Sequence, residues 1–420
     1  MTTDDPDGAR LLTSPGVGEV LAAAIRDAGG TLLGWRMDHV DHQPNRSTTA
    51  TYRAEVGWSW GQAGEVIGLT VRVGGPDPHE RESARVYRDG HGNEVMVWIY
   101  PADPALPGLA TAAYAEGVAA LINDHGLWVP TGGALGGRRP MVEPADIRLD
   151  VVGYRPRQRA VLRADVRSGP ELRRFYLKVQ TPEDAAQTVD RHRLLRGAGV
   201  PAPEVLALTP DAVVVLEALP GRPLTTALFA ERTPCSAEDL IGALDAFPPV
   251  VARLPRRVPW TESVHYYVGL VARAMPVLEG RLSWLADQVS QGLAGLPPGE
   301  EATHGDFHEG QVHVRAGRVC GVLDIDGIGP GRRADDLGCL LAHLSTIQRM
   351  NPAQAAHLQD LLEAWTPVFD HRVDPTELRL RAAGVAISLA TGPHRSQEPD
   401  WQAETEAIVA AAEALVRQVG

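Results

Sequence analysis

His304-Gly305-Asp306-Phe307-His308-Glu309-Gly310-Gln311, followed by Val322-Leu323-Asp324-Ile325-Asp326, is the stretch that decides how this chain folds. Two β-like runs, Val312–Arg315 and Arg318–Leu323, separate its two groups of acids, so a strand–turn–strand hairpin is expected to return Asp324 beside the loop holding Asp306 and Gln311. That arrangement makes a small oxygen-lined cage of carboxylates and one carboxamide, the hard donors that suit Mg2+. Phosphoryl transfer from a nucleoside triphosphate asks for such a metal cage, for a carboxylate that orients the attacking hydroxyl, and for a cation on the phosphates. The first two requirements are met within residues 304–326.

The cation is found upstream. Of the 40 Lys+Arg residues one is a lysine, Lys178, and the other 39 are arginines. A chain that uses arginine wherever any cation will do keeps a lysine where a slender point charge fits and a planar guanidinium does not. Lys178 stands in Arg174-Phe175-Tyr176-Leu177-Lys178-Val179, the third strand of a meander expected over Ile147–Gly153, Arg159–Val166 and Arg173–Gln180. Thr181-Pro182-Glu183 then opens a helix reaching about Gly197, with a capping threonine, proline at the first helical position and acids in the first turn. Ala212–Leu216 reads as a further strand, and the Pro/Gly-rich segment from Glu217 to Leu224 as a hinge. Beyond it the pattern is mainly helical, with helices expected at about 335–348, 352–365, 376–390 and 401–417.

Residues 1–35 read as a polar stretch and a helix, and Ser47–Val56, Glu65–Val73 and Asn93–Tyr100 as three strands of a small antiparallel sheet. The fold class is therefore α+β, with a β-rich module over 1–145, a second β-rich lobe over 146–219 and a helical lobe over 220–420. Pro44-Asn45-Arg46 precedes Tyr52–Val56 much as Pro156-Arg157 precedes Leu162–Val166, so the first module reads either as a diverged copy of the second or as an unrelated meander with similar turns. Met96–Tyr100, read as its third strand, has no lysine, and a copy would have lost nucleotide binding.

His304-Gly305-Asp306 with Gln311 at the fifth position, then Val322–Asp326 and Ala334-Asp335-Asp336-Leu337-Gly338, resembles the catalytic and metal loops of the aminoglycoside phosphotransferase family within the protein-kinase-like fold. Choline kinases and maltokinases are relatives. The resemblance covers about residues 146–420, and residues 1–145 are loosely similar to maltokinase N-terminal caps. It implies a bilobal kinase-like fold, ATP and Mg2+ as cofactors, Asp306 as catalytic base, Gln311 and Asp324 as metal ligands, Asp326 as an aid to a second metal or the acceptor, and His304 as a scaffold of the loop. It also implies that Lys178 contacts the nucleotide phosphates, with Asp190 favoured as its acidic partner ahead of Glu183 and Asp184, and that Glu217 to Leu219 meet the adenine. Gln311 stands where most of the family has asparagine, a feature shared with maltokinase-like members.

Composition narrows the partners. The net charge of -13 argues against a nucleic-acid surface, which needs a basic field. No run of eighteen apolar residues and no apolar leader occur, and Cys235, Cys320 and Cys339 suit reduced thiols, so a cytoplasmic protein away from membranes is expected. The expected acceptor is a hydroxylated small molecule, an aminoglycoside or a sugar. Residues 335–420 carry twelve acids against six arginines and could receive an amino sugar, with Trp365 or Trp401 stacking on a ring. Three alternatives are kept: a sugar or amino-sugar kinase of glucosamine or maltose type, a catalytically inactive ATP-binding module, and a metal-dependent hydrolase in which His304, Asp306 and His308 alternate on a strand face around Zn2+ or Mn2+.

Overall fold

The computed structural model describes residues 5–89, 92–128, 141–168, 170–230, 233–347 and 350–419. The chain forms two compact units, one of residues 1–189, 205–218 and 395–397, the other of residues 190–204, 219–394 and 398–420. Among the described residues no helix is long and apolar enough to cross a membrane.

The first unit opens with α1 (Ala9–Leu12) and α2 (Val17–Asp27), then builds a sheet from β1 (Thr31–Gln43), β2 (Ser47–Trp58), β3 (Gly61–Arg72), β4 (Arg85–Arg88) and β5 (Glu94–Ile99), with α3 (Pro78–Ser83) before β4. The strand order is β1-β2-β3-β5-β4. Leu21 and Ile25 of α2 share a core with Tyr52, Ile67 and Leu69, all completely buried, and each such side chain contributes roughly 1.5–3 kcal/mol of transfer free energy. The sequence reading of three strands falls short by two. β1 is hidden because its ladder with β2 slips between Leu32 and Gly34 and again between Met37 and His39, which breaks the two-residue alternation. β4 is only four residues long.

A second sheet follows α4 (Leu109–Ala112) and α5 (Ala115–Asp124). It contains β6 (Ile147–Arg155), β7 (Arg159–Ser168), β8 (Glu171–Gln180), then, after α6 (Pro182–Gly197), β9 (Val205–Leu208) and β10 (Val213–Glu217). The order is β6-β7-β8-β10-β9, the same as in the first sheet. Val118 and Ile122 of α5 pack with Leu162, Phe175, Leu177 and Val213. Lys178 pairs in register with Val161 and Val214, opposite in facing to Leu177, and is 5% exposed. Thr70 of β3, paired with Met96, holds the corresponding place in the first sheet. Met96–Tyr100 is thus not a third strand; Met96–Ile99 lie on β5 with Tyr100 just beyond it, and β3 also lacks lysine.

Contacts from the first module converge on the β6–β7 turn. Trp98 Nε1 donates to Tyr154 Oη at 2.9 Å, Tyr154 Oη to Asp103 Oδ2 at 2.7 Å, and Arg157 N to the same oxygen at 2.8 Å. Gln158 Nε2 donates to Asp41 Oδ2 at 3.0 Å.

The second unit is mainly helical. In order it contains β11 (Arg222–Pro223), α7 (Leu224–Ala230), α8 (Ala237–Asp245), α9 (Val264–Ala274), α10 (Glu279–Gly292), β12 (Glu301–Thr303), β13 (Val312–Arg315), β14 (Arg318–Val322), β15 (Gly329–Gly331), α11 (Arg333–Ser345), α12 (Pro352–Arg372), α13 (Pro375–Leu389), α14 (Gly392–Arg395) and α15 (Trp401–Arg417). The four expected helices correspond to α11, α12, α13 and α15; Gln348, in the first of those expected ranges, lies outside the described residues. α13 is buried almost all round, through Leu378, Ala382, Ala383, Ala386 and Ile387, which marks it as the central helix of this unit.

Candidate active site

Two antiparallel ladders hold two loops against each other. β12 pairs with β15, ending at Thr303 opposite Gly329, and β13 pairs with β14, ending at Val312 opposite Val322. Residues 304–311 and 323–328 are therefore the two loops left between these ladders. Leu323 N donates to Gln311 O at 2.8 Å, and the His304 imidazole meets Leu323 O through Nε2 at 2.8 Å, stitching one loop to the other. The expected hairpin is present, and β12 with β15 closes its far end, a pairing too short to announce itself in sequence.

The base of the first loop is clamped by a fully buried carboxylate. Asp336 accepts from His304 N and from Gly305 N, both at 2.9 Å, and from Arg333 Nη1 at 3.0 Å. Burial raises its pKa, against the pull of Arg333, His304 and the two backbone donors. Gly305 has φ of 82°, and a Cβ there would sit 2.6 Å from Gly327 O, so this position admits no side chain without displacing the second loop. Asp324 has φ of 48°, in the left-handed region that aspartate tolerates better than most residues. Arg191 of α6 donates to Asp326 O and fixes the end of the second loop.

Asp306 is half-buried, with Cys339 Sγ 3.8 Å from its Oδ1. His308 contacts the Gln311 carboxamide through Nε2 at 3.0 Å and accepts from Gly310 N through Nδ1 at 3.1 Å. The His308 ring stacks on His343, centroids 4.1 Å apart and planes 7° from parallel. Burial lowers the His308 pKa, and Glu309, Asp306 and Asp324 more than offset it, so the net shift is upward. His343 moves the other way, to about 4, through burial and the neighbouring His308. The stacked pair thus takes up a first proton far more readily than a second. Burial raises the Glu309 carboxyl, and the two imidazoles pull it below its ordinary range.

Asp306, Gln311, Asp324 and Asp326 therefore belong to two loops joined by hydrogen bonds, in the second unit. Lys178 and Glu217 lie on β8 and at the end of β10 in the first unit, where Glu217 accepts from Arg173 at 3.4 Å. Asp190 is exposed on α6, as is Glu183, while Asp184 receives a hydrogen bond from Thr181 at the helix start. Leu219, half-buried, packs over Gly321, where a Cβ would lie 2.5 Å from the leucine.

Three expectations need correction. Trp365 is 3% exposed in the core and offers no face to a sugar. Six of the twelve acids, Asp335, Asp336, Asp370, Glu377, Glu406 and Glu413, are in ion pairs with arginines of their own unit and so already have partners within it. The hydrolase grouping does not form, because residues 304–308 are loop and the His304 ring is fully buried against Leu323 O. Sequence reasoning left Arg333, Asp336, Cys339 and His343, which pack against the first loop, without a role. Their i, i+3 and i, i+4 spacing on α11 was the available signal.

The β-rich first unit and the helical second unit make an α+β protein, of protein-kinase-like fold over the family region given next, with an extra sheet N-terminal to it. The sequence profile of the phosphotransferase enzyme family (APH) matches residues 153–381, and the chain belongs to that family. An uncharacterized protein of Deinococcus radiodurans is 33% identical over 140 residues, 30% of this chain, and the chain spans 38% of that relative's length. Among solved structures, a thermostable mutant of aminoglycoside phosphotransferase APH(4)-Ia is similar at 14% identity and TM-score 0.45, over 65% of this chain and 95% of that one. A choline kinase from Cryptosporidium parvum is similar at 11% identity and TM-score 0.46, over 72% and 95% of the respective chains. A choline/ethanolamine kinase family protein from Mesorhizobium loti is similar at 20% identity and TM-score 0.41, over 64% and 87%.

Proposed function

We propose that the chain is an ATP-dependent small-molecule kinase that moves the γ-phosphate to an alcohol, with an aminoglycoside-type acceptor as the first candidate. The observation that supports this reading is the joining of loops 304–311 and 323–328, the first of which carries Asp306 and Gln311 and the second Asp324 and Asp326. Asp306 accepts the proton of the attacking hydroxyl as its oxygen bonds to the γ-phosphorus and the bond to the bridging oxygen of the leaving ADP breaks. Gln311, Asp324 and Asp326 offer two carboxylates and a carboxamide oxygen, a donor set that fits Mg2+. When bound, Mg2+ supplies charge neutralisation at the phosphates. His308 orients the Gln311 amide, and Asp336 with His304 holds the loop so that Asp306 is positioned before the acceptor arrives. Lys178 contacts the phosphates, Asp190 is its candidate acidic partner, and the backbone from Glu217 to Leu219 receives the adenine. Family membership over residues 153–381 supports this division of labour.

A second reading, a sugar or amino-sugar kinase, draws support from Gln311 and from the extra sheet β1–β5 before the family region. That sheet is in this reading a diverged copy of the next one, in keeping with the shared strand order and with left-handed Asn45 and Arg157 at matching turns. Turnover of ATP with Mg2+ over a panel of aminoglycosides, glucosamine, maltose and choline separates the two. Asp306→Asn is expected to lower turnover by roughly 10²–10⁴-fold with nucleotide binding retained. Turnover stimulated by no hydroxylated acceptor, or unchanged in Asp306→Asn, defeats the proposal.

A further inference from the structure

Beside the loop that carries Asp306, α11 places two side chains, Cys339 and His343, to which the phosphotransfer reading gives no part. Cys339 and His343 are one helical turn apart and therefore point to the same side of α11. One ligand atom each from Asp306, Cys339 and His343 lie within 4.8 Å of one another, and the same holds for His308, Glu309 and His343. Tetrahedral Zn2+, with bonds of about 2.3 Å to sulfur and about 2.1 Å to oxygen, sets the two donors about 3.6 Å apart. Cys339 Sγ and Asp306 Oδ1 already stand at 3.8 Å.

Glu309 supplies an independent sign. This carboxylate is 9% exposed, and its Oε2 is buried without a hydrogen-bond partner, 3.7 Å from Nδ1 of both His308 and His343. A buried carboxylate oxygen held off hydrogen-bond distance by two imidazoles is an acceptor whose capacity the protein itself does not use. Mixed thiolate, imidazole and carboxylate donors select Zn2+ over Mg2+, which prefers oxygen ligands and gives up its waters reluctantly.

We infer that Asp306, Cys339 and His343 form a site for a thiophilic divalent cation, Zn2+ foremost, with Glu309 as the adjoining carboxylate, and that filling it turns the enzyme off by engaging Asp306. The cation bonds to the Cys339 sulfur as the thiol proton leaves for the buffer, one proton per metal bound. No oxidant or reductant takes part. The inhibition rests on the phosphotransfer reading above, whereas the binding does not.

Co2+ as a spectroscopic substitute tests the binding on the full-length protein without reference to turnover. Titration is expected to give one equivalent with a near-ultraviolet thiolate-to-cobalt band and visible bands of tetrahedral intensity. Cys339→Ser should abolish the near-ultraviolet band, while Cys235→Ser and Cys320→Ser should keep it. His343→Phe retains a ring to stack on His308 but loses the nitrogen, and should weaken Co2+ binding at least tenfold. In turnover assays with excess Mg2+, Zn2+ should inhibit the parent protein, and Cys339→Ser should keep basal turnover while its Zn2+ midpoint rises at least tenfold. Absence of the thiolate band from the parent protein, its persistence in Cys339→Ser, or equal Zn2+ inhibition of both overturns the inference. If no acceptor gives turnover, the kinase reading fails, and the cobalt spectra still decide the site.

Discussion

Replacing Asp336 by alanine is the most searching perturbation of the loop that carries Asp306, because this buried side chain holds the base of that loop. The carboxylate is completely buried and accepts three donors, at 2.9, 2.9 and 3.0 Å. Removing it strands the buried N–H of His304, worth about 1–3 kcal/mol when left without an acceptor, and the part-buried N–H of Gly305, worth less. It also removes the buried partner of Arg333, which is 3% exposed and would keep Asp245 at 3.3 Å and the carbonyls of Leu244 and Ala302. Breaking one side of such a pair costs about 3–5 kcal/mol, and because the same reorganisation relaxes both defects the sum stays near the upper end of that range. Asp336→Asn keeps one oxygen but sets its amide nitrogen against a backbone donor, and about half the loss is expected. Urea denaturation followed by tryptophan fluorescence reports the midpoint and the slope. Amide hydrogen exchange gives the local signature: His304 and Gly305 N–H should lose protection beyond what global destabilisation explains. An alanine variant within about 1 kcal/mol of the parent protein, with both amides still protected, refutes the clamp.

Two further outcomes follow from the same loop and its neighbours. Gly305→Ala places a Cβ 2.6 Å from Gly327 O on a backbone with φ of 82°, so a loss of roughly 1–2 kcal/mol is expected from the left-handed conformation alone, with more from the contact and a large fall in kcat; wild-type stability and kcat together would contradict this. His343, lowered to about 4 by burial and by His308, resists a proton that the unfolded chain accepts near pH 6.5. Stability therefore falls as pH drops from about 6.5 toward about 4, by up to about 3 kcal/mol, and His343→Phe should flatten that slope; parallel pH profiles for the two proteins exclude it.

The pairing of the loops that carry Asp306, Gln311 and Asp324 was legible because the hairpin between them is strongly β-like. The strand that carries Lys178 was legible as the third of its meander, while the lysine itself drew notice only because every other cation of that kind is arginine. Asp336 was visible as part of a motif but not as a clamp, since its partners are backbone amides more than thirty residues away and no side-chain pattern encodes them. Trp365 misled for the opposite reason. A tryptophan in an amphipathic helix reads as an exposed stacking surface or as core with equal ease, and only packing against the other helices settles it. β1 escaped because two ladder slips scramble the alternation on which strand recognition depends.

The two sheets of the first unit show how little of a scaffold carries chemistry. Their strand orders are identical, and each has a turn with a left-handed residue after proline, Asn45 in one and Arg157 in the other. At one register position the first has Thr70, hydrogen-bonded to Thr49 at 2.9 Å within its own sheet, and the second has Lys178. A non-glycine residue in the left-handed region costs of order 1–3 kcal/mol unless its surroundings over-determine it. Arg157 is held in that way: its N–H donates to Asp103, its guanidinium reaches Glu80, and Gln158 beside it bonds to Asp41, all from the first module. Burial pushes the Asp103 carboxyl up while Arg157, Tyr154 and Ala105 pull it down, so the acceptor that fixes this turn is itself sensitive to losing any one donor. A turn without glycine at its tip thus takes its shape from hydrogen bonds supplied outside its own sheet, and the first module contributes to the structure of the second through those bonds even though it has no lysine of its own.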